Sequence, residues 1–135
     1  MPYLLSFVVR AEGTLLDGTR VSEAIARIDD SARPAPNGYL CNCVHPENFA
    51  KALEAAENER PGVRNRLIGL QGNTSRKDPA QLDGAAKLEG EDPVPFGAAM
   101  ASLRQRFGTH ILGGCCGTDV RHIAAIAEQL QSTAR

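Results

Sequence analysis

Tryptophan is absent from this 135-residue chain, and aromatic residues make up only 4% of it. Little ring surface is therefore available for stacking nucleic-acid bases. An excess of charge is missing too. Lys and Arg number 15 against 16 Asp and Glu, a net charge of -1, so no basic face is expected for DNA, RNA or an anionic membrane. Long hydrophobic runs are also lacking. The opening apolar stretch, Tyr3 to Val9, is too short to span a bilayer, and no cationic segment precedes it as in a signal peptide. These absences exclude nucleic acid and membrane as expected partners and point to a cytoplasmic, reducing location. There, cysteines serve more often as metal ligands or catalytic groups than as disulfides.

An apolar content of 42% and a charged content of 23% suit one globular domain over residues 1–135. A pattern repeats four times along it: a short apolar run, then an amphipathic helix. The first run is Leu4 to Val9 and its helix spans Thr19 to Asp30, with Thr19 as N-cap and Val21, Ala24, Ile25 and Ile28 on one face. Gly38 to Cys43 is the second run; Pro46 opens its helix, Phe49, Leu53 and Ala56 form the stripe, and Arg60-Pro61-Gly62 stops it. Arg66 to Leu70 is the third, leading to a helix near Asp92-Pro93 with Phe96, Met100, Leu103 and Phe107 inward. Thr109 to Gly113 is the fourth, after which Thr118 caps a helix carrying Val120, Ile123, Ala127 and Leu130.

Alternating strands and helices imply an α/β fold with a parallel sheet and right-handed crossovers. Four βα units form either a small open sheet or half of an eightfold barrel, whose full length is about 250 residues. Because the chain begins almost directly on a strand, half a barrel is the expected architecture. Gln71 to Glu91 separates the third strand from its helix. A polar insertion of that length, with Leu82 and Leu88 as anchors, leaves the strand end where βα barrels build their sites.

The four cysteines fall in two tight groups, Cys41 with Cys43 and Cys115 with Cys116. Cys43 ends the second strand and Cys115-Cys116 follow the fourth, all on the C-terminal side of the sheet. Three thiolates converging there make a soft site suited to zinc. Successive strand residues point to opposite sides, so two neighbours facing one ion need an abrupt turn. Gly113, Gly114 and Gly117 are the candidates to supply it. Cys41 lies two residues deeper, about 6.6 Å along the strand, and reads as a buried apolar residue. His45 is expected at the helix cap, with zinc ligation as the alternative; His110 and His122 have no partner pattern. Spacing alone leaves two rivals open, three buried thiols in a core and a glycine-lined phosphate cradle before a helix. A dithiol redox pair is disfavoured because no Cys-x-x-Cys spacing occurs.

Leu40-Cys41-Asn42-Cys43, followed far downstream by Gly113-Gly114-Cys115-Cys116-Gly117-Thr118 and then His122-Ile123, resembles the homocysteine S-methyltransferases. Gly13-Thr14-Leu15-Leu16-Asp17-Gly18 before a Ser-Glu-Ala-Ile helix is similar to that family as well. The resemblance implies a βα barrel with one catalytic zinc held by Cys43, Cys115 and Cys116. It implies homocysteine as substrate, a small-molecule methyl donor, methionine as product, and a loop-orienting role for Asn42.

Only the C-terminal half of the family's barrel is matched. The acidic, glycine-rich first loop and the acidic residue that reads the amino group of homocysteine have no counterpart. Two arrangements are then expected: the chain is a fragment lacking an N-terminal half, or two copies pair as a homodimer. A non-catalytic zinc- or thiol-binding half-barrel that needs a partner chain is the alternative function.

Overall fold

The structure, a computed structural model, describes residues 1–76 and 91–133. It is an α/β fold built on one four-stranded parallel sheet in the order β1-β2-β3-β4, the arrangement expected of half a βα barrel. Strands β1 (Leu4–Phe7), β2 (Gly38–Val44), β3 (Leu67–Gly72) and β4 (Ile111–Gly114) correspond to the four apolar runs. Helices α1 (Val21–Ser31), α2 (Pro46–Glu54), α4 (Pro93–Phe107) and α5 (Val120–Thr133) follow them, with a short helical turn α3 (Pro61–Arg64) before β3. Most of the insertion Gln71 to Glu91, including Leu82 and Leu88, lies outside the described residues.

The sheet buries one face. Tyr39, Cys41 and Leu70 are completely buried against Ile25 of α1, Phe49 and Leu53 of α2, Phe96, Met100 and Leu103 of α4, and Ile126 of α5. Alternation along each strand sends Leu4, Ser6, Leu40, Asn42, Gln71 and Ile111 to the other face. Ser6, Gln71 and Ile111 are exposed there. Among the described residues, helices lie on one side only, which distinguishes this sheet from an open, doubly covered one. Gly69 sits between Leu40 and Ile111 on the uncovered face, where a Cβ would come 2.7 Å from the Ile111 Cβ.

Several local expectations are corrected. Strand β1 ends at Phe7 because Val9 turns into a bridge with Leu15 and is buried. Thr19 does not cap α1; Arg20 takes that position, and the Thr19 amide donates to Asp17 Oδ1 at 2.9 Å instead. The segment at Pro61 does not stop α2, which already ends at Glu54; Pro61 starts α3, where its fixed φ suits a first helical position. Thr118 does not cap α5, because Asp119 Oδ1 accepts from the Arg121 amide at 2.8 Å. The stripe expected on α5 is also only partly right. His122, Ala125 and Ile126 face the core, while Val120, Ile123 and Ala127 are exposed. Ala125 packs against Gly97 of α4 so closely that a Cβ at Gly97 would lie 2.7 Å from it.

None of the described helices is long and apolar enough to cross a membrane.

Candidate metal-binding site

The C-terminal ends of β2 and β4 bring three thiols together. Sγ atoms of Cys43, Cys115 and Cys116 all lie within 4.8 Å of one another, the cluster among the described residues that could hold a metal ion. Cys43 and Cys115 are in disulfide contact, with Cα atoms 5.6 Å apart. Cys115 and Cys116 sulfurs stand 3.9 Å apart, and Cys116 is the exposed member.

Cys43 reaches this position through a feature invisible in the strand pattern. Asn42 pairs with Gln71 and Val44 with Gly72, so Cys43 is an extra residue in β2, a bulge. Its φ is 57°, the left-handed region that side chains other than glycine, asparagine and aspartate seldom adopt. The bulge turns Cys43 out of the strand while Cys41, in register with Phe7 and Leu70, stays buried. Burial pushes the Cys41 thiol far above its ordinary pKa, because no partner compensates a thiolate there. Cys41 is thus an apolar filler, as expected.

At the Cys115-Cys116 loop, the expected glycine roles separate. Gly117 has a φ of 77° and makes the turn that lets neighbouring cysteines face one point. Gly114 is needed for space, since a Cβ there would run into the Thr118 side chain. Gly113 meets nothing closer than Gln71 Cγ at 4.0 Å. Thr118 locks the turn by donating its hydroxyl to the Cys115 carbonyl at 2.6 Å.

The end of β3 stitches both loops together. The Asn73 amide donates to the Val44 carbonyl at 3.0 Å, the Cys115 amide to Gly72 at 2.8 Å, and the Thr74 amide to Cys116 at 3.3 Å. Asn73, Thr74 and Ser75 are buried, with Asn73 Oδ1 accepting from the Ser75 amide at 3.1 Å. In the sequence these residues opened a polar insertion, and only the burial of three consecutive polar residues gives them away.

His45 caps α2, its Nδ1 accepting from the Glu47 amide at 3.1 Å, while Nε2 meets Glu91 Oε2 at 2.6 Å. His122, without a visible partner in the sequence, is buried with Nε2 2.8 Å from the Glu91 carbonyl. His110 is exposed. Asn42 lies on the uncovered face, where its Oδ1 accepts the Ser6 hydroxyl at 2.6 Å.

A family model described as homocysteine S-methyltransferase matches residues 1–130. No curated protein matches the chain.

Proposed function

The chain belongs to the homocysteine S-methyltransferase family, and on that premise we propose that it carries the zinc corner of such an enzyme, transferring a methyl group to homocysteine to give methionine. The observation that carries this reading is the convergence of Cys43, Cys115 and Cys116 from two strands onto one point. Thiolates sharing a tetrahedral zinc at about 2.3 Å stand roughly 3.8 Å apart. The 3.9 Å between Cys115 and Cys116 suits that edge, and Cys43 and Cys115, paired with each other in the structure, would share an ion with Cys116 once reduced. An all-sulfur donor set selects a soft metal over magnesium or calcium.

A zinc ion held by Cys43, Cys115 and Cys116 would supply a Lewis acid that favours the thiolate form of a substrate thiol at neutral pH. The chain's own residues do the rest. Cys43, Cys115 and Cys116 bind, Gly117 and Thr118 hold the double-cysteine turn in place, and the buried end of β3 keeps the two loops at a fixed separation. The homocysteine sulfur then attacks the methyl carbon of the donor. A carbon–sulfur bond forms, the bond to the donor heteroatom breaks, and its electron pair leaves with the donor. Asn42, fixed by Ser6, orients the Cys43 loop from the uncovered face. A cytoplasmic location keeps the thiols reduced and able to take the metal.

A second reading rests on the uncovered sheet face and on the exposed Val120, Ile123 and Ala127 of α5. These surfaces suit a half-barrel completed by four further βα units, from a second copy or a complementary N-terminal half. In that reading the isolated chain binds zinc without transferring a methyl group. Metal analysis of protein purified without added zinc, together with methionine formation from homocysteine and a panel of methyl donors, separates the two. About one zinc per chain, lost in Cys115→Ser and Cys116→Ser, is expected; wild-type protein without metal sinks both readings.

A further inference from the structure

Resting on the zinc reading above, we propose that Glu91 is a positioning residue for the metal site, cross-bracing the two loops that supply its thiols. Its side chain and its main chain each hold a different buried histidine. One histidine follows Cys43 by two residues and the other follows Cys116 by six.

The hydrogen-bond directions are fixed by the partners. At His45, Nδ1 is occupied by the incoming Glu47 amide, so the ring hydrogen sits on Nε2 and goes to Glu91 Oε2. At His122, the Glu91 carbonyl can only accept, so Nε2 again carries the hydrogen, and Nδ1 accepts from the Asp119 amide at 3.1 Å. The His45 side chain is 0% exposed and that of His122 5%, so water does not replace Glu91 at either ring. Removing the carboxylate leaves a buried N–H donor unpaired. Phe96 holds the His122 ring edge-on at 5.5 Å, which restricts where that ring can turn. Arg76 adds a tie from the other side, 3.5 Å from Glu91 Oε1 while it also binds Glu47 of α2.

The brace completes a ring of contacts around the thiols. On the sheet side, the backbone of β3 bonds to Val44, Cys115 and Cys116. On the helix side, Glu91 joins the first turn of α2 to the first turn of α5, the two helices into which the ligand loops run. It thus adds a helix-side hydrogen-bonded tie between the Cys43 loop and the Cys115-Cys116 loop to the one on the sheet side. Partners of this outer kind set ligand orientation, and their loss lowers metal affinity by about 10–100-fold in other sites.

The test is zinc affinity of the full chain, measured by competition with a chromophoric chelator under reducing conditions, for Glu91→Gln, Glu91→Asp and Glu91→Ala. The carboxamide still accepts from His45, so Glu91→Gln is expected within about threefold of wild type, while Glu91→Ala weakens binding about tenfold or more. Glu91→Asp withdraws the acceptor by one methylene and is expected to weaken binding as well, deciding the matter if Glu91→Ala does not fold. Asp and Ala variants that bind as tightly as wild type overturn the brace and leave the zinc reading standing. A Gln variant as weak as Ala also overturns it, because charge and not the hydrogen bond would then be responsible. Wild-type protein that binds no zinc overturns both.

Discussion

Cys43 and Cys115 stand with Cα atoms 5.6 Å apart although 72 residues separate them, and Cys43 gets there with a left-handed φ of 57°. An ordinary extended residue at that position would leave its thiol locked in the strand above Cys41. The bulge therefore converts a strand end into a thiol-bearing corner, at a backbone cost of about 1–2 kcal/mol.

That cost has a measurable signature in the metal-free, reduced protein. Glycine tolerates a positive φ and alanine does not, so Cys43→Gly is expected to be about 1 kcal/mol more stable than Cys43→Ala. The usual order in a strand is the reverse. Chemical denaturation of the two variants side by side decides it; alanine at or above glycine would mean that Cys43 does not hold this conformation in solution.

Thiol reactivity should divide the cysteines by position. Cys116 is exposed and Cys41 is buried with a thiol pushed far from ionisation. Brief alkylation of reduced, metal-free protein is expected to modify Cys116 first and to leave Cys41 untouched until denaturant is added. Peptide mapping reads the order directly, and early labelling of Cys41 contradicts the packing of β2.

How far the sequence carried can be argued from these same residues. Strand and helix periodicity revealed the four βα units, because their apolar stripes recur at the spacing their geometry requires. Cys43, Cys115 and Cys116 were legible as a group because all three fall at the C-terminal ends of strands, and glycines flank the Cys115-Cys116 pair. The Cys43 bulge was not legible, since no glycine or asparagine marks the position. Neither was the Glu91 link between His45 and His122, which joins residues 46 and 31 positions apart and depends on tertiary placement. The stripe on α5 reads as core in the sequence because a helix does not record which of its apolar faces finds a partner within the chain.

Alkaline stability should depend on Tyr39. Burial, reinforced by the Asp29 carboxylate that its hydroxyl contacts at 2.8 Å, pushes the phenol up to about 12 from its ordinary 10.0. A raised folded-state value contributes stability fully present below pH 10 and lost between pH 10 and about 12. Thermal melts across that window are expected to fall less steeply for Tyr39→Phe than for wild type. Equal slopes would show that Tyr39 does not titrate with unfolding.

At the acid end, Asp29 has the opposite sign. Arg66, which donates to it at 2.7 and 3.0 Å, and Tyr39 hold its carboxyl below the usual range. The stability it contributes is present above the unfolded-state value of about 3.9 and lost as pH falls through the folded one. Asp29→Asn is therefore expected to narrow the stability gap to wild type below pH 4, as roughly that window implies. A gap that stays constant from neutral pH downward contradicts the pairing.

The exposed face of α5 offers a direct test of assembly. Val120 is 79% exposed and Ile123 45%. If this surface meets another molecule, Val120→Glu and Ile123→Glu lower the sedimentation mass to that of a single chain while changing its unfolding free energy by about 0.5 kcal/mol or less. A loss of several kcal/mol, the scale of a buried-core substitution, would place these residues inside the chain's own core instead.

Sheet order follows chain order without exception, β1-β2-β3-β4. During synthesis each βα unit can therefore settle against the one already made, with no strand inserted later between two others. The thiols come from the second and fourth units, so the cluster they form exists only once β3 has docked between those two strands. A metal ion bound there would thus mark the molecules in which β2, β3 and β4 have paired in their proper order.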